Sequence, residues 1–111
     1  MKKIYLIFML LVSGFVFSQS ANNILGHGAQ KCSIYLDQIK ENEDFYRPQY
    51  VAWAQGFISG NNVNFQKYEK SFTPSFKEIH YLTQKGCRED PLSSVVDVIT
   101  LFFIENVQEI K

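Results

Sequence analysis

The residues of this 111-residue chain that could do chemistry are two histidines, two cysteines and a few paired carboxylates. A Cys–His nucleophile needs a free thiolate beside an orienting base. Cys87 follows His80 by seven residues, a spacing that sets both on one face of a helix. His27 lies in "GHG", within a loosely held lead-in that also contains Asn22, Asn23, Gly26 and Gly28. The carboxylates of "ENED" and "RED" fall in segments that read as solvated. No Walker loop, nucleophile elbow or H-E-x-x-H helix occurs in the sequence. The expectation is therefore a non-enzyme without catalytic residues, metal or cofactor.

The cysteines are an even pair, Cys32 and Cys87, and neither has a second Cys at the short spacing of zinc sites. In an oxidising compartment such a pair favours a disulfide, with a reactive thiol and a metal ligand as the alternatives. Closing the 56-residue loop from Cys32 to Cys87 would stabilise the fold by about 4 kcal/mol in the chain-entropy picture.

The compartment is suggested by the first residues. Lys2 and Lys3 precede an apolar run from Ile4 to Val12, and small residues follow in "SQSAN". That order describes a secretory signal peptide over residues 1–20, cleaved near residue 18 or 20. The run falls short of the roughly 20 apolar residues of a spanning helix, so no membrane insertion of the mature chain is expected. Without Lys2 and Lys3, 9 basic residues face 11 acidic ones, near −2. So small a bias does not argue for nucleic acid or an anionic membrane as partner.

The elements that must position these residues read as helices. Residues 21–111 form one domain, small enough to benefit from a covalent staple. Cys32, Tyr35, Leu36 and Ile39 define a first helix that ends in the charged turn "KENED". Pro48 suits the first position of a second helix, which Asn61 and Asn62 would end. A capping box in "SFKE" starts a third near Ser75, with Phe76, Ile79 and Leu82 inward and Gly86 near its end. Asp90 as N-cap and Pro91 as first residue open the last, whose apolar positions run from Leu92 to Ile110. Val98, Leu101 and Ile104 widen that stripe beyond one core face. The predicted architecture is a small all-α single-domain bundle of about four helices, without a strand.

Within the second helix, "YVAWAQGFISGNN" sets Ala52, Gly56 and Gly60 in one i, i+4 row beside Tyr50, Trp53 and Phe57. Two mid-helix glycines cost about 2 kcal/mol of propensity. The row predicts a compensating close approach of another helix. Between this helix and the third, "VNFQKYEKSFTPS" reads as a long polar connection. Its aromatics Phe65, Tyr68 and Phe72 are candidate anchors for a protein partner, with folding back onto the core as the alternative. Phe45 and Tyr46 form a weaker patch.

An early Cys32, then Tyr50 and "W-x-x-G-F-I-S-G-x-N" (Trp53, Gly56, Phe57, Ile58, Ser59, Gly60, Asn62), then "C-R-x-x-P-L" (Cys87, Arg88, Pro91, Leu92) make a combined pattern. It resembles the type VI amidase immunity family, called Tai or Rap-type, from Cys32 into the last helix. Gly86 and Asn61 depart from it, standing where relatives often carry an aromatic residue. The resemblance implies a compact all-α periplasmic protein with the early and late cysteines bonded. It implies binding and inhibition of a secreted peptidoglycan amidase, often as a homodimer. The matched residues Trp53, Gly56, Ser59, Gly60, Asn62 and Pro91 look structural. The competing reading, on size and architecture alone, is a periplasmic acid-stress chaperone or an envelope protein of another role.

Overall fold

The computed structural model describes residues 24–109. The expected signal peptide over residues 1–20 and the helix position at Ile110 lie outside the described residues. A short 3-10 turn, Gly26–Ala29, leads into three helices: α1 (Cys32–Phe65), α2 (Phe76–Glu89) and α3 (Val95–Asn106). A second 3-10 turn, Gln66–Tyr68, follows α1. Two-residue strands β1 (Lys70–Ser71) and β2 (Gln108–Glu109) pair antiparallel, with Lys70 opposite Glu109 and Ser71 opposite Gln108. The domain is helical as expected, apart from this small ladder. Among the described residues it contains three helices rather than about four.

The count differs because "KENED" does not break the chain. Asn42 alone leaves helical geometry, at φ −155° and ψ 82°, and kinks α1 there. Its Oδ1 accepts the Phe45 N–H at 3.3 Å, so Asn42 caps the second limb directly and no connecting loop is needed. Pro48 then lies inside the helix, not at its first position. The bond it cannot donate belongs to the carbonyl of Asp44, an exposed residue where water can substitute. At its far end α1 runs through Asn61 and Asn62 to Phe65.

The start of α2 is as read, with Ser75 Oγ accepting the Glu78 N–H at 3.2 Å. The helix continues through Gly86, and Asp90 closes it by donating its N–H to the Gly86 carbonyl at 3.0 Å. Its inward row is Ile79, Thr83 and Cys87, whereas Phe76 is exposed. The last helix begins later than expected. Ser94, not Asp90, caps α3, and Leu92 is exposed. The reason is that the Asp90–Ser94 turn serves another helix. The carbonyls of Ser93 and Pro91 accept the N–H groups of Cys32 and Ser33 at 2.8 and 3.1 Å. These are among the N–H groups that the first turn of a helix leaves without internal partners. In return Val95 N–H donates to the Gln30 carbonyl at 2.9 Å.

The disulfide Cys32–Cys87 ties α1 to α2 beside this turn, with both residues fully buried. Around it the core draws Tyr35, Val51, Ala54 and Ile58 from α1. Ile79 comes from α2, and Val95, Ile99, Phe102 and Phe103 from α3. No helix among the described residues is long and apolar enough to cross a membrane.

Candidate interaction surface

The residues with chemical potential are occupied structurally. Both thiols are joined, so the Cys–His pair considered from the sequence does not form. His80 Nε2 lies 3.0 Å from Glu43 Oε1, linking α2 to α1 just past the kink, and Arg47 approaches the same carboxylate at 3.7 Å. His27 Nε2 lies 3.0 Å from Gln49 Oε1, and its ring meets the Tyr50 ring edge-on at 4.8 Å. Tyr35 and Tyr50 pack edge to face at 4.7 Å. Burial, with the neighbouring Tyr46 phenol adding to it, pushes the Tyr50 hydroxyl up to about 12. Burial likewise raises Tyr35 above the ordinary phenol range. Among the described residues no group of three or more His, Cys, Asp or Glu side chains is placed to hold a metal ion.

The matched motif residues divide into two sets. Trp53 and Asn62 hold neighbouring chain in place. The indole N–H of Trp53 donates to the Leu25 carbonyl at 2.8 Å, and its ring stacks on Phe57 with centroids 5.3 Å apart. The "GHG" lead-in is therefore seated on Trp53, not loosely held, and Gly28 is buried beneath the indole. Asn62 donates from its side-chain amide to the Phe72 carbonyl at 2.7 Å and accepts the Phe72 N–H at 2.9 Å. One side chain thus mimics the pairing of a strand and pins the connection to α1. Pro91 contributes its carbonyl to the α1 cap.

The other set is open. Gly56, Ser59 and Gly60 are exposed, as is Ala52 of the same small-residue row, and a Cβ at either glycine would meet nothing within 4 Å among the described residues. The close helix contact predicted for this row is absent from the described chain. The kinked α1 turns its Val51, Ala54 and Ile58 face to the core, which leaves the row outward.

The three candidate partner anchors are likewise separated. Phe72 is buried, with its ring 6.1 Å from both Phe102 and Phe103. Phe65 is half-buried against Phe103, ring centroids 5.4 Å apart. These two fold back onto the core, and only Tyr68 of the three is exposed, with Lys67 Nζ 5.1 Å from its ring centroid. Phe45 is exposed as well, while its edge-on neighbour Tyr46 is half-buried.

A further exposed apolar surface lies between α2 and α3. Leu101 and Ile104 stand 59% and 61% exposed on α3. Beside them a groove of about 390 Å³ runs between the two helices. The sequence signal for it was the apolar stripe of the last helix, wider than one core face. Comparison with family models, with curated proteins and with solved structures finds no match to this chain.

Proposed function

We propose that the mature chain is a periplasmic immunity protein that binds and blocks a type VI secreted peptidoglycan amidase. One observation carries the reading: the early and the late cysteine of the motif pattern are bonded to each other. Trp53 and Asn62, from the middle of the pattern, fasten the chain before and after the helix that holds them. Part of the pattern, the two cysteines with Trp53, Asn62 and Pro91, thus ties the scaffold together, while Gly56, Ser59 and Gly60 stand on its outer face. The disulfide leaves no thiol for a cysteine nucleophile, and the reading is of a protein that acts by binding.

Co-expression provides the test. Each peptidoglycan amidase toxin encoded by the same genome is directed to the periplasm with and without this protein, and survival and complex formation are measured. Protection from one of them, with a stable complex of the oxidised chain and that toxin, is the expected result. Survival unchanged against every such toxin, with no complex, refutes the proposal. Sedimentation of the same oxidised protein tests the homodimer that the resemblance implies.

A further inference from the structure

We infer that the groove between α2 and α3 is a docking site for a cationic amphipathic helix of a partner protein. Leu82 and Gly86 from α2 and Val98 and Phe102 from α3 form its apolar floor. Gly86 makes the floor possible. A Cβ there would lie 2.4 Å from Val98 Cγ1, so its absence lets α3 close onto α2. Leu101 lines one wall, and Ile104 extends the apolar surface one turn further along α3. An apolar trough between two helices, bordered by exposed aliphatic side chains, matches the way an amphipathic helix is received.

The rim states the charge of the occupant. Glu89, Asp90, Asp97 and Glu105 border the groove against a single cation, Lys85. None of the four carboxylates forms a salt bridge among the described residues. All four are exposed, so they act through the field they set up and not through buried pairs. A second copy of this chain is a poor occupant. Two-fold pairing would set the patch against itself and bring four carboxylates towards four others. A helix with Leu-like residues at i, i+3, i+4 and i+7, flanked by Lys or Arg, satisfies both the floor and the rim. The inference holds whether or not that helix belongs to an amidase.

The test uses the oxidised chain and a synthetic 14-residue peptide carrying leucines at those spacings and flanking lysines. A charge-reversed peptide with glutamates for lysines is the control. The lysine peptide is expected to bind at least tenfold more tightly than the control, and more weakly as salt is raised. Backbone amide shifts should centre on residues 82–90 and 97–105. A variant with Asp97→Lys and Glu105→Lys, both exposed and remote from the core, should reverse the preference. Its retained amide spectrum would exclude unfolding as the cause. Equal binding of the two peptides, shifts centred elsewhere, or no shift at millimolar peptide overturns the inference. So does a native dimer that Leu101→Ser and Ile104→Ser dissociate, which would make a second copy the occupant. An amidase complex that leaves these amides unmoved removes the groove from that interaction without touching the immunity reading. Peptide binding without any amidase partner does the reverse.

Discussion

Two glycines at the disulfide end of the molecule, Gly28 and Gly86, lie directly against other side chains. Two on the outer face of α1, Gly56 and Gly60, lie against nothing among the described residues. A Cβ on Gly28 would fall 2.0 Å from Trp53 Cη2, and one on Gly86 would fall 2.4 Å from Val98 Cγ1. Around Gly56 and Gly60 the same atom would meet open space. The difference separates two meanings of a glycine. At the disulfide end it is a packing requirement, set by a neighbour distant in sequence. On the outer face it carries only the cost of a flexible residue in a helix. The disulfide end also concentrates the fastenings, namely the Cys32–Cys87 bond, the carbonyl caps from Pro91 and Ser93, and the Trp53 bond to Leu25.

The strongest way to break this contrast is to remove the bond at the tight end. Cys32→Ser with Cys87→Ser should lower stability by about 4 kcal/mol, since the bond closes a loop spanning 55 positions. In a domain this small that is a fall in Tm of roughly 20 °C. Thermal unfolding followed by circular dichroism checks it. A loss below about 1 kcal/mol would mean that the caps and Trp53 hold the end without the bond.

Gly28→Ala comes next, at about 3 kcal/mol, because a rigid indole in a packed site yields to an inserted methyl only by moving as a unit. Its distinguishing readout is fluorescence, since Trp53 is the chain's only tryptophan. Its emission should shift to the red as the Gly26–Ala29 turn lifts away, while urea unfolding gives the energy. Gly86→Ala should cost less, about 1–2 kcal/mol. The clash with the stiff Val98 side chain is offset in part by the helix propensity that Ala restores. Normal stability in either variant would erase the difference between the two ends.

How much of this was legible beforehand differs between local and distant causes. The Ser75 cap, the rows Tyr35–Ile39 and Ile99–Phe103, and the cysteine pair are local or compositional signals that the fold uses, although of the reciprocal capping box only the Ser75 half forms. Pro91 and Asp90 mark a helix start equally well on local grounds. Here they lie in a turn instead, because the N-terminus of α1, some sixty residues earlier in the chain, draws on the carbonyls around them. Asn42 shows the converse: a charged run looks like a loop unless one residue both ends a helical limb and caps the next. Polar neighbours leave Phe65 and Phe72 open to either role, partner anchor or core. The choice is made by Phe102 and Phe103, thirty or more residues further along the chain, whose rings meet theirs. The packing role of Gly28 depends on Trp53, twenty-five residues away, which no helical period encodes.

The smallest expected effect is the one that sharpens the comparison most. If Gly56 and Gly60 make no contact in the working protein, Ala at either position should stabilise it by about 0.5–1 kcal/mol. The variant chain gains helix propensity and loses unfolded-state freedom without a clash. Urea midpoints with an unchanged m-value measure this directly. The sign matters more than the size. Ala at an open site can only help, whereas at a close helix contact it would cost stability. If the substitutions stabilise the isolated chain, the row that looked like a core contact is free in that chain. If they destabilise it, and the loss grows with protein concentration, a second copy packs on the row. The same pair of variants therefore separates an idle row of small residues from an interface between copies.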